Sequence, residues 1–93
     1  MFRAEIIANQ SVEEDLEELL EQSIPGILYT VMPVVHGRGK KSRKLGTTIW
    51  PEQNFILFSY IEKDKIPLLR AVVVAIKKQF PDEGVKLFIM KSA

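Results

Sequence analysis

The stretch FILFSYI, residues 55–61, is apolar on both of its alternating sets: Phe55, Leu57 and Ile61 on one, Ile56, Phe58 and Tyr60 on the other. A strand with one face in water alternates apolar with polar, whereas one covered on both faces reads as a continuous apolar run. Residues 55–61 are therefore predicted to form a central strand. Downstream, Asp64 is a candidate N-cap, and Pro67 fits a first helical turn, where the N–H it lacks would have no partner anyway. Ile66, Leu69, Val73, Ile76 and Phe80 then mark one helical face, with Arg70, Lys77 and Lys78 outside it. The run Val72-Val73-Val74 has β propensity, but a segment of about 15 residues behind a cap favours helix. Pro81-Asp82-Glu83-Gly84 reads as a turn and Val85 to Met90 as a last strand.

Upstream, Phe2, Ala4, Ile6 and Ala8 alternate with Arg3, Glu5 and Ile7, the period of a strand. Ser11 stands three residues before Glu14, a capping box, and Val12, Leu16, Leu19, Leu20 and Ile24 follow at helical spacing until Pro25-Gly26 ends the helix. Ile27 to Val35 is rich in β-formers but contains Pro33, which cannot donate a ladder hydrogen bond. That strand is expected at a sheet edge or with a bulge.

The order strand, helix, strand, strand, helix, strand is the split βαβ pattern of ferredoxin-like α+β folds: βαββαβ, a four-stranded antiparallel sheet with two helices on one face. Residues 1–93 read as a single domain. The sheet face away from the helices would expose members of the set Ile56, Phe58, Tyr60, Phe88 and Met90. An open apolar face of that size on a small domain predicts oligomerisation.

Hydrophobic content of 46% with 27% charged residues belongs to globular domains rather than disordered chains. Without cysteine there is no disulfide and no thiolate metal site, which fits a cytoplasmic location. The first residues have no signal-peptide pattern. The longest apolar run, Ala71 to Ile76, falls far short of the roughly 20 residues needed to span a membrane, so no membrane insertion is expected. The net charge of +1 hides an uneven distribution. Glu13, Glu14, Asp15, Glu17, Glu18 and Glu21 form the outer face of the first helix, and bases gather in one loop. Like charges four apart mildly destabilise that helix, while acids near its start favour its dipole.

The loop is VVHGRGKKSRKLGTTIWPEQNF, residues 34–55, with Arg38, Lys40, Lys41, Arg43 and Lys44 and the glycines Gly37, Gly39 and Gly46. Connections longer than about 12 to 15 residues in compact domains are usually functional or disordered, and this one ends on the stiff pair Trp50-Pro51. Its glycines let backbone N–H groups converge on an anion, and its bases add charge. Trp50 reads as a packed anchor of the loop base. The lone His36 lacks the convergent partners that a metal site needs, so no metal is expected.

VVHGRGKK, with Gly37 and Gly39 straddling one residue and Lys40 following, resembles the start of the T-loop in PII signal-transduction proteins. DEGVKLF, residues 82–88, is similar to that family's B-loop, with Gly84 and Lys86 as the nearest equivalents of its phosphate-holding glycines and lysine. The resemblance covers nearly the whole chain in layout. It implies a cytoplasmic homotrimer, with sheets facing one another, that serves in signal transduction such as nitrogen regulation. It also implies a small anionic ligand or nucleotide (ATP, ADP or AMP) held at subunit clefts by Gly37, Gly39, Lys40, Gly84 and Lys86. A target protein would be met through loop 36–52, with Arg38, Lys41, Arg43 and Lys44 as contacts. The chain departs from the family pattern in having a single B-loop glycine, one residue inserted before the lysine, and no C-terminal arginines. No tyrosine lies between Gly37 and Trp50, so modification of a loop tyrosine is not expected.

Other uses of the fold find less support. No nucleophile stands with a histidine partner, no carboxylate pair sits in an apolar setting, and the loop after the first strand lacks the arginine that acylphosphatase-type chemistry would want. No enzyme activity or catalytic residue is expected. RNA-recognition motifs share the strand order. QNFILFSY places Phe55 and Tyr60 at two of their three aromatic positions, but Leu57 takes the middle one and the leading base and glycine are missing. The first strand has no aromatic in AEIIAN, and nucleic acid is not expected as a partner. The trimeric CutA-type metal-tolerance proteins, also ferredoxin-like, resemble the chain in architecture only.

Overall fold

A computed structural model describes residues 1–35 and 53–92. The strands are β1 (Phe2–Asn9), β2 (Thr30–Val35), β3 (Asn54–Ile61) and β4 (Val85–Lys91), and the helices are α1 (Glu13–Ser23) and α2 (Ile66–Gln79). All neighbouring strands are antiparallel in the order β2-β3-β1-β4. This is the ferredoxin-like α+β arrangement, with β3 internal as its two-sided apolar pattern requires and β2 at an edge as Pro33 requires.

The core lies between the sheet and the two helices. Ala4, Ile6 and Ala8 of β1, Phe55, Leu57 and Ile61 of β3 and Val85 of β4 pack against Leu16 and Leu20 of α1 and Leu69, Val72, Val73 and Ile76 of α2, all buried. Among the described residues Ser59 is the buried polar one on the same side, and its Oγ donates to the carbonyl of Leu28 at 2.8 Å. The same region differs from the sequence expectation. The second strand begins at Thr30 rather than Ile27, and the carbonyl of Leu28 is satisfied by a side chain instead of a ladder. Gly26 has φ +80, a left-handed conformation in which a β-carbon is strained. It turns the chain out of α1, where Ile27 N–H donates to the carbonyl of Ile24 at 3.1 Å.

Both predicted caps are corrected. A 3₁₀ turn, Gln10–Val12, precedes α1, and the capping side chain is Asn9, whose Oδ1 accepts from Ser11 N–H at 2.9 Å, rather than Ser11. A second 3₁₀ turn, Lys63–Lys65, precedes α2, and Asp64 lies inside it without capping the helix; Pro67 stands in the first turn as expected. In both places the chain leaves a strand by a tight turn before the helix starts, which shifts the cap position away from the residue that composition favours. In β2 the pairing Met32 with Ile56 is followed by Val35 with Asn54, so a bulge sits at Pro33 and Val34. Among the described residues, no helix is long and apolar enough to cross a membrane.

Candidate functional site at the loop end of the sheet

Antiparallel pairing brings four chain segments to one end of the sheet: the end of β1 at Asn9, the end of β2 at Val35, the start of β3 at Asn54 and the start of β4 at Val85. Both stems of segment 36–52 therefore leave from the end that carries Gly84 and Lys86. Within one protomer they are not adjacent. β2 and β4 are opposite edges, separated by three inter-strand spacings, or about 14 Å. His36, Gly37, Arg38, Gly39, Lys40, Lys41, Arg43, Lys44 and Trp50 lie outside the described residues, so of the expected ligand contacts the structure places Gly84 and Lys86.

Lys86 pairs with Ile7, and Ile7 with Ile56, positions that alternate with the buried set. Its side chain thus belongs to the sheet face turned away from the helices, and it is exposed. Gly84 is exposed as well, and a β-carbon built there would meet nothing within 4 Å. Its carbonyl accepts from Asn9 N–H at 3.4 Å.

That second face is apolar and open. Met32, Tyr60, Phe88 and Met90 are each 45–55% exposed, around the half-buried Ile7, Ile56 and Phe58. One ion pair sits among them: Arg3 Nε lies 3.4 Å from Glu5 Oε2, and the guanidinium carbon stands 4.6 Å from the centroid of the Phe58 ring. Stacking on an aromatic face suits a guanidinium, which is more weakly hydrated than an ammonium. The alternation of Arg3 and Glu5 with the buried residues of β1 was visible in the sequence; their meeting with Phe58 needed the strand register.

The aromatic pattern of RNA-recognition motifs, already incomplete in the sequence, finds no support in the fold. Phe55 and Leu57, which would have to face outward to stack bases, are fully buried, and Tyr60 points the other way.

On the helix side, a shallow groove of about 160 Å³ is lined by Asp15, Glu18, Leu19, Gln22 and Gln79. Its acidic residues disfavour an anionic ligand. Glu17 of α1 is pushed up from its ordinary 4.5 to about 7, first by burial, then by its hydrogen bond with Glu13 and the charges of Glu13, Glu21 and Glu14. Tyr29 donates to Glu21 Oε2 at 3.2 Å, and its hydroxyl is also raised, first by burial and next by the charge of Glu17. A carboxyl that binds its proton more tightly when folded contributes stability fully below pH 4.5, and that contribution is lost as pH rises through about 7. Glu17→Gln is accordingly expected to stabilise the protein at pH 8 by roughly 0.5–1 kcal/mol, from relief of two like-charge contacts four residues apart. The gain should vanish at pH 4. Urea unfolding of both proteins across pH checks this, and a gain equal at both pH values would contradict it.

Comparison with family models finds no match, and neither does comparison with curated proteins. Solved structures do match. A protein of Thermus thermophilus, described as PII-like with a signalling role, superposes with TM-score 0.62 at 21% identity, over 96% of this chain and 83% of the other. CPII, a nitrogen regulatory PII-like protein of Thiomonas intermedia, superposes in its form bound to ADP and bicarbonate with TM-score 0.69 at 16% identity, over 96% of this chain and 82% of the other. The de novo designed protein Foldit4 gives TM-score 0.64 at 13% identity over 99% of this chain and 98% of its own. The chain thus resembles PII-like signalling proteins in structure over nearly its whole length. Because a designed protein shares the same fold to the same degree, the fold itself assigns no activity.

Proposed function

We propose that this chain is a PII-like regulatory protein that acts without catalysis. It works as a cytoplasmic homotrimer that binds an adenine nucleotide or a small anion at its subunit clefts and contacts a target protein through loop 36–52. The observation that supports this most is the open apolar sheet face with Lys86 at its loop-bearing end. Facing the sheets of three copies toward one another covers Ile56, Phe58, Tyr60, Phe88 and Met90. In such an assembly Gly84 and Lys86, which lie at the opposite sheet edge from β2 of their own protomer, would meet the loop stems of a neighbour. CPII, which shares the fold, was solved with ADP, AMP and bicarbonate. In the cleft, Gly37, Gly39 and Gly84 offer backbone N–H groups to phosphate, Lys40 and Lys86 supply charge, and Arg38, Lys41, Arg43 and Lys44 present a positive surface to an acidic target.

Gly84 sharpens the test. Neither a left-handed φ nor crowding requires glycine there, so alanine fits the free protein. A β-carbon would instead obstruct a phosphate lying against the backbone. Calorimetry with ADP, ATP and AMP, with and without bicarbonate, should detect binding that weakens with salt. Lys86→Ala should lose roughly 1.5–3 kcal/mol of affinity, the worth of a charge-assisted hydrogen bond, and Gly84→Ala should weaken binding without lowering the melting temperature. Absence of heat with every nucleotide, alone or with bicarbonate, would leave a protein-binding role only.

A further inference from the structure

At the loop end of the sheet, one residue reaches three strands. Gln10 leaves β1 with its backbone N–H donating to the carbonyl of Gln53 at 2.9 Å, and its side-chain Nε2 donates to the carbonyl of Pro33. Gln53 immediately precedes β3 and Pro33 lies in β2, so these two bonds hold the two stems from which segment 36–52 departs. We propose that Gln10 is a positioning residue that clamps both stems and ties them, through Asn9, to the turn at Gly84.

The carbonyl of Pro33 is available because of the bulge. The ladder pairs Met32 with Ile56 and resumes at Val35 with Asn54, which leaves Pro33 and Val34 between paired positions. Pro33 and Val34 stand outside the ladder, and a donor arriving from β1 across β3 anchors them beside the pair Val35–Asn54. Glutamine suits this position because its amide donates at neutral pH, which a glutamate carboxylate cannot do, and because an asparagine is one methylene shorter. The departure angle of Gln10 is itself set locally, since Asn9 Oδ1 holds Ser11 N–H at 2.9 Å and Asn9 N–H donates to the carbonyl of Gly84 at 3.4 Å. Residues 9–11 therefore form a continuous hydrogen-bonded path from the turn beside Lys86 to both stems. Resting on the function proposed above, the clamp makes the stems respond to what is bound at residues 84–86.

The test is amide hydrogen exchange on the full chain, comparing wild type with Gln10→Ala and Gln10→Glu, each with and without ADP. Without ADP, loss of the side-chain bond in Gln10→Ala should speed exchange in 32–35 and 53–55 by roughly three- to tenfold, while α2 and β4 keep their rates. Gln10→Glu should do at least as much, because a carboxylate faces the Pro33 carbonyl. With ADP, wild type should show slowed exchange at both stems. Gln10→Ala should bind ADP with unchanged affinity yet show less slowing there than wild type, only what direct contact of the nucleotide with Gly37, Gly39 and Lys40 supplies. Unchanged stem exchange in both variants without ADP would overturn the clamp, as would slowing by ADP that is as large in Gln10→Ala as in wild type. Should wild type bind no ADP, the functional reading fails, but the rates without ADP still decide for or against Gln10.

Discussion

Phe88→Asp is expected to turn the proposed trimer into a monomer while leaving the protomer folded. Phe88 is 48% exposed on the open sheet face, so the helix-covered core does not depend on it. Its pairing partner on β1 is Glu5, which also pairs with Phe58, and the new carboxylate would stand directly opposite an existing one. In an assembly that covers this face, each copy would lose the burial of the exposed half of a phenyl ring, roughly 0.7–1.5 kcal/mol. It would also have to desolvate a charge with a like-charged neighbour, at a further several kcal/mol. Light scattering coupled to size exclusion measures the outcome. Wild type should give a trimer mass and the variant a protomer mass, with little change in its far-ultraviolet circular dichroism. A wild type that is monomeric at micromolar concentration would remove the PII-like reading, and a variant that stays trimeric would place the interface elsewhere.

The second large effect is expected inside. Among the described residues, Phe55 is the largest of the fully buried side chains and the first core residue after segment 36–52. Phe55→Ala should cost roughly 3–5 kcal/mol, combining lost transfer energy with the cavity left behind. Domains of this size are stable by only about 5–15 kcal/mol, so the midpoint of urea unfolding should fall by a large fraction or the variant should fail to fold. A loss below about 1 kcal/mol would mean that Phe55 sits in a site free to collapse, contrary to its full burial in the core between the sheet and the helices.

Much of the architecture could be read from local pattern. The order of strands and helices followed from periods of two and 3.6 residues, which are properties of the backbone and need no partner to be recognised. Pro33 placed its strand at an edge because it lacks a donor, and the double apolar character of residues 55–61 placed theirs inside. The open apolar face was legible for the same reason: the helices of a βαββαβ chain cover only one side. Gly84 and Lys86 were picked out by their likeness to a B-loop, and their common end with the loop stems follows from antiparallel topology.

What the tertiary structure decided were questions on which local pattern is silent. Both alternating sets of β3 are apolar, so period alone did not rank them; the expected placing of Ile56, Phe58 and Tyr60 on the open face was borne out by the register against β1 and the burial of Phe55 and Leu57 beneath α1 and α2. Asn9 and Ser11 are equally good caps by composition, and the direction in which the chain leaves β1 chose Asn9. The bond from Gln10 to Pro33 joins residues 23 apart across an intervening strand, and no periodicity encodes such a contact. A sequence specifies directly whatever depends on neighbours three or four residues away. Faces, caps and cross-strand bonds depend on which distant surfaces meet, and that is settled only when the whole core packs at once.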